Sequence, residues 1–286
     1  MHVSLDSALG RQRRLNSVGE SVLQIAPNAA AAYSLRSLTG GDPKVVRVRR
    51  DTDGGAGDND EQDFTASGVS SGALAAFVGS GNDGFVETWY DQSGNGKDAV
   101  QETAANQPLL VVSGVVLSGL NFDGSTSSRT LVAPSVTGLA GSLSIFSVSV
   151  RVATGNTVSL SNSSSGGRYF AIREGGSTSV ANPRNTASIT VSDSVSGANR
   201  LTFAVTTGAT STSVGANSSA VTTSTSDYGD DFSGSHINQI AIGVLRTASP
   251  TGYFNGRINE ILVYNSDQTD NRSAVETNIN SHYSLF

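Results

Sequence analysis

Apolar residues recur at every second position in many short segments of this chain. Val46 and Val48 alternate with Arg47 and Arg49, and Phe146, Val148, Val150 and Val152 alternate with Ser and Arg. Leu201, Phe203 and Val205 repeat the pattern, as do Ile240, Ile242 and Val244. A period of two is that of a half-buried β-strand, whose successive side chains point to opposite faces. The segment 109–122 reads as two strands meeting near Gly114, and 85–90 as another. Residues 258–264 form a nearly continuous apolar run, which predicts a central strand covered on both faces. The Ser/Thr-rich segment 208–226 predicts a weak edge pair that a neighbouring subunit could cover.

Helical periodicity is confined to two places. Residues 73–78 predict a short helix or turn on the strands, and Val275, Ile279 and Tyr283, spaced by four, predict a C-terminal helix with Asp270 as N-cap. The first 28 residues fit neither period. Arg11, Arg13 and Arg14 make a compact basic cluster there, and a polar segment too short for its own core needs a partner to become ordered. The expected organisation is therefore an N-terminal docking arm over 1–28 and one β domain over 29–286.

Composition sharpens this picture. There are 32 Gly, only 15% charged residues and no Cys in 286 positions, a mixture suited to short strands and tight turns. The lack of Cys excludes disulfides and thiolate metal sites. A net charge of −6 disfavours a general nucleic-acid binder, and no apolar run reaches membrane-spanning length. Met1 to Gly10 lack the apolar centre of a secretion signal, so synthesis and retention in a cytoplasm is the expectation.

Two stretches carry a resemblance. AYSLRSL at 32–38, VRVRR at 46–50, TWYDQSGNGKDA at 88–99 and NQP at 106–108 together resemble the N-terminal part of the arabinofuranosidase B catalytic domain, and similar series occur in phage structural proteins. GYFNGRINEILVYN at 252–265, followed by the helix, resembles the last strands of laminin-G-like, concanavalin-A-like domains. The resemblance implies an all-β, antiparallel two-sheet jelly-roll sandwich with a short C-terminal helix and an N-terminal arm. Its enzymes are disulfide-bearing and use two carboxylates, and neither carboxylate falls in a matching motif here. The functional expectation is thus a non-enzymatic virion protein of a tailed bacteriophage, such as a capsid decoration, head-fibre or tail-fibre subunit. It would be made in the host cytoplasm, would form a homo-oligomer, would hold other virion proteins through Arg11, Arg13 and Arg14, and would meet a host glycan. The alternative is a carbohydrate-binding module or a glycoside hydrolase of arabinofuranosidase type.

Candidate chemistry is sparse. The run 91–98 could offer Asp91 and Asp98 as acid and base, but Asp followed by SGNG is better explained as turn chemistry. Asp51, Asp53, Asp58 and Asp60 are the oxygen donors of a candidate calcium loop, without an EF-hand's closing Glu; no other cofactor is expected. Glu87, Asp91, Asp123, Glu174 and Glu260 are carboxylates of the right type for glycoside hydrolysis, expected to be surface or turn residues. Glu260 alternates with Ile261, which would turn it outward. Tyr169, Tyr253 and Arg168 are the expected carbohydrate contacts, and Trp89 is expected in the core. His2, His236 and His282 have no metal spacing, and no serine sits in a nucleophile elbow.

Overall fold

The computed structural model describes residues 19–51, 60–124, 129–136, 142–161, 169–175, 197–207, 211–217, 221–225, 238–245 and 250–286, with backbone alone for 177–181 and 188–192. Among the described residues all strand pairings are antiparallel. In spatial order the back layer contains β1 (Ala31–Ser34), β18 (Asn255–Tyr264), β9 (Leu143–Ala153), β14 (Asn199–Thr207), β15 (Ser211–Ala216) and β16 (Thr222–Ser224). The front layer contains β3 (Glu61–Thr65), β2 (Lys44–Asp51), β4 (Asp83–Trp89), β5 (Ala99–Val100), β8 (Leu131–Pro134), β17 (Gln239–Ile242), β10 (Gly155–Ser161), β11 (Tyr169–Glu174), β12 (Ser177–Ala181) and β13 (Ser188–Ser192). The hairpin of β6 (Leu109–Val112) and β7 (Val115–Phe122) turns the corner, since β6 pairs with β4 and β7 with β18. This is the all-β sandwich that the alternation predicts.

The hairpin turn shows why its residues are Ser and Gly. Ser113 and Gly114 have φ of 49° and 83°, the left-handed pair that matches strand twist in a two-residue turn. A Cβ on Gly114 would also lie 2.9 Å from the Gly79 carbonyl oxygen.

The layers enclose one core. Ile145, Ile261 and Val263 of the back layer meet Val46, Val86, Trp89, Val158, Ile172 and Ile240 of the front layer. The opposite face of the back layer is apolar too. Phe146, Val148, Phe203, Leu262 and Tyr264 lie there beneath α4 (Arg272–Tyr283), which contributes Val275 and Ile279. The alternate residues of 258–264 are therefore divided between two cores, as their continuous apolarity predicts. The N-cap of α4 is Asn271, one residue beyond the expected Asp270. A helix at Ala73–Val78, α3, also forms; it follows α2 (Ala66–Ser70), which has no periodic signal. Within 208–226, β15 and β16 pair antiparallel, as the expected edge pair.

One boundary requires correction. Residues 22–25 form a single helical turn, α1 (Val22–Ile25), and Val22 and Ala26 are fully buried in the second core. The Leu23 N–H donates to the Leu38 carbonyl at 3.1 Å, and the Tyr264 hydroxyl donates to the Ala26 carbonyl at 3.1 Å. The domain therefore begins before residue 29, because the outer face of the back layer is wider than α4 alone covers. Arg11, Arg13 and Arg14 lie outside the described residues.

Two buried aliphatic residues contribute about 2–4 kcal/mol together, roughly 5–10 °C of melting temperature in a domain this size. A chain starting at residue 29 should melt lower by that amount than one starting at residue 19. Equal melting temperatures in calorimetry would show that α1 adds nothing to the fold.

Candidate functional site

Strand β1 has β18 on one side only. Its other edge is occupied by the turn after β4, where Asp91 acts as a four-way acceptor. The Asp91 carboxylate takes the backbone N–H groups of Ala32 and Ser93, both at 2.9 Å, that of Lys97 at 3.0 Å, and the Ser93 hydroxyl at 2.7 Å. The Asp98 carboxylate accepts the Asp91 N–H at 2.9 Å, and the Tyr33 hydroxyl donates to the Lys97 carbonyl. Burial, then the charges of Asp91 and Asp98, push the Tyr33 phenol well above its ordinary range, so it stays a donor. Gln92, buried, accepts the Leu38 N–H at 2.8 Å and donates to the Ser34 and Arg36 carbonyls at 3.0 and 2.9 Å. Gly94 and Gly96 have φ of 87° and 65°, which the turn requires. The turn reading of 91–98 accounts for every one of these contacts.

This turn forms one wall of an open cavity of about 490 Å³. Ser93, Asn95 and Lys97 line it from the turn, Asn28 from the approach to β1, and Asn265 from the end of β18, with buried Val136 beneath. The Asn95 amide nitrogen donates to the Ala29 carbonyl at 2.9 Å, which fixes its orientation toward the wall. The Lys97 ammonium has no carboxylate partner among the described residues. The volume is within the roughly 300–1,000 Å³ typical of small-molecule sites, and the lining is amide, hydroxyl and ammonium. Such a wall offers directional donors and acceptors to hydroxyl-rich ligands.

The remaining carboxylates are distributed differently from expectation. Glu260 does not face outward; it lies under α4 with 1% of its side chain exposed. Arg36 grips it bidentately at 2.7 and 2.8 Å, and the Ser34 and Tyr283 hydroxyls donate at 3.0 and 3.1 Å. Glu260 shares its face of β18 with Leu262 and Tyr264, which pack under the helix, so alternation sets it on that side; the register shift between Ile258 and Glu260 returns Ile258 to the core between the layers. Glu174 is likewise no surface residue. It is fully buried between the layers, where Arg200 donates at 3.1 Å and the Thr202 hydroxyl at 2.7 Å. Burial raises its carboxyl above the usual range, and Arg200 and Thr202 counteract this. Both behave as structural ion pairs. Glu87 is half-buried beside the Thr88 hydroxyl and 4.0 Å from Arg47.

The expected carbohydrate contacts do not form one platform. Tyr169 pairs with Ser161 at one end of the β10–β11 ladder, whereas the Tyr253 carbonyl abuts Gly155 at the other. Five strand steps separate the ends, about 17 Å; Arg168 lies outside the described residues. Of the calcium loop, Asp60 pairs with Arg50 at 2.6 Å and Asp51 ends β2 opposite Asp83. Asp53 and Asp58 lie outside the described residues, and no cluster of three or more potential ligands occurs among those described. Trp89 is fully buried, as expected. The cavity residues Asn28, Lys97 and Asn265 carry no signal of their own; only the turn sequence pointed to this region.

No protein-family model matches the chain, and no curated protein matches it. Its fold does match solved structures. A mutant GH54 α-L-arabinofuranosidase soaked with 4-nitrophenyl α-L-arabinofuranoside superposes over 93% of this chain with a TM-score of 0.67 at 14% identity. An arabinofuranosidase complexed with arabinofuranosyl-α-1,2-xylobiose superposes over the same share with a TM-score of 0.66 at 14% identity. The chain covers 65% of each of those chains, less than two thirds of their length. At this identity the likeness establishes the sandwich fold.

Replacing Asp91 by Ala leaves three backbone donors, one on β1 and two in the turn, without their acceptor, and should cost about 3 kcal/mol in urea denaturation. Glu260→Gln should cost a similar amount, about 3 kcal/mol, because Arg36 is left in a nearly closed site without its counter-charge. A loss under about 1 kcal/mol at Asp91 would mean that water substitutes for the carboxylate.

Proposed function

We propose that this chain is a carbohydrate-recognition domain whose binding site is the cavity between the 91–98 turn, Asn28 and Asn265. The observation that carries the reading is the coincidence of that polar, ligand-sized cavity with a sandwich whose described likenesses act on arabinofuranosides. The turn that shapes the cavity is also the stretch whose sequence resembles the arabinofuranosidase B domain. Binding is favoured over hydrolysis because Asp91, Glu174 and Glu260 are committed to structural hydrogen bonds. The virion role expected from the sequence is secondary to this reading, since the described likenesses are carbohydrate-directed enzymes and none is a virion component. Attachment to a larger assembly through Arg11, Arg13 and Arg14 is compatible with it.

Calorimetric titration with arabinose-containing oligosaccharides should show saturable binding. The double substitution Lys97→Ala, Asn265→Ala should weaken it by about tenfold, the equivalent of two lost hydrogen bonds. No binding to any glycan of a broad array would overturn the proposal. Turnover of an aryl arabinofuranoside that disappears in Glu87→Gln would replace binding by hydrolysis.

A further inference from the structure

The outer face of the front layer holds two arginines without a carboxylate partner among the described residues. Arg49, on β2, is only 7% exposed. Its Nε donates to Gln107 at 2.9 Å, and its guanidinium stands 4.7 Å from the centroid of the Phe85 ring. Arg129, just before β8, lies 5.8 Å from the same centroid. Its Nε is buried and has no hydrogen-bond partner among the described residues. Neither guanidinium makes an ion pair within 4.0 Å among the described residues, whereas the buried Arg36 and Arg200 are both matched. The nearest acidic groups toward Arg129 are Asp123 and Asp83, which act on it through space, and Asp83 already accepts the Ser113 N–H at 2.8 Å.

The surrounding side chains are fixed. Gln107 is 2% exposed and donates to the Gln101 carbonyl at 3.0 Å; Gln101 donates to the Thr130 carbonyl and hydroxyl, both at 3.0 Å. This chain of amides connects the Arg49 side to the Arg129 side across β5 and β8. Phe85 and Arg129 are partly exposed, so the pair opens to solvent. Removing a guanidinium from water without an acceptor is costly, and a planar anion matches its donor fork bidentately. The apolar Phe85 ring beside the two cations suits a ligand that has a body as well as a charge.

We infer that Arg49 and Arg129, arranged about Phe85, form a subsite for the carboxylate of an acidic sugar, a uronic acid. The inference rests on the carbohydrate-recognition reading but uses a different face of the sandwich, away from Lys97 and Asn265. It would make the domain selective for uronate-bearing polysaccharide.

The test is titration of the intact chain with galacturonate, galactose, acetate and sulfate at low salt, in wild type and in Arg129→Gln. Galacturonate should bind at least about tenfold tighter than galactose, acetate or sulfate, and Arg129→Gln should abolish that margin while circular dichroism stays unchanged. Arg49→Lys, which keeps the charge and loses the fork, should weaken galacturonate by several fold. Retained galacturonate preference in Arg129→Gln, or equal binding of galacturonate and galactose, overturns the inference. Acetate or sulfate binding as tightly as galacturonate overturns its sugar part. The Lys97→Ala, Asn265→Ala variant separates the two proposals: it should lose neutral saccharide and keep galacturonate. If neutral saccharides bind the wild type and galacturonate does not, only the subsite inference falls; if galacturonate alone binds and depends on Arg129, only the cavity reading falls.

Discussion

The outer edge of β1 is closed by side chains instead of a strand, and the local architecture depends on that closure. An unpaired edge would present bare N–H and C=O groups for association with other chains. Here the Asp91 carboxylate accepts the Ala32 N–H, the Gln92 N–H donates to the Ala32 carbonyl at 2.8 Å, and the Gln92 side-chain amide donates to the Ser34 carbonyl. Because the same Asp91 also gathers the N–H groups of Ser93 and Lys97, closing the edge and shaping the turn are one event. The cavity wall follows, with Ser93, Asn95 and Lys97 pointing where the turn holds them.

Charge in this molecule is arranged by burial. Glu260 with Arg36, and Glu174 with Arg200, are pairs removed from water, one under α4 and one between the layers. Each carboxylate also accepts from at least one hydroxyl beside its counter-charge. Tyr283 illustrates the coupling: burial and the adjacent Glu260 carboxylate push its phenol well above the ordinary range, so it remains a donor to that carboxylate. At the exposed edge, by contrast, Lys44, Arg47, Glu61 and Asp63 form a network on β2 and β3 that mainly keeps the edge soluble. Arg49 and Arg129 belong to neither group.

The second core explains why the chain needs its C-terminal helix and the turn at 22–25. Phe146, Phe203 and Tyr264 present rings on the outer face of the back layer, with the Phe146 and Tyr264 centroids 6.2 Å apart in an edge-on arrangement. That face is too apolar to meet water over its full width. Val275 and Ile279 cover one part, and Val22 and Ala26 another, so both ends of the described chain converge on one surface.

By itself the sequence determined the local geometry. Alternation of apolar and polar residues dictated strands, since a period of two places one face of each strand in a core. The spacing of Val275 and Ile279 dictated the helix, Ser113 and Gly114 the hairpin, and Asp91 to Gly96 a turn, each through contacts within a few residues. Tertiary structure alone decided what those elements enclose. Glu260 does lie on the face opposite Ile261, as alternation requires, but it read as exposed because alternation carries no information about a helix lying above that face. Glu174 meets Arg200 across 26 positions, and Asn28, Lys97 and Asn265 share a cavity only after β1 pairs with β18. The membership of 22–26 in the core was hidden for the same reason: a single turn has no period to read, and its partner is at the other end of the chain. Burial is a property of the assembled layers, and it decides which carboxylates are structural and which cations stay without an ion-pair partner.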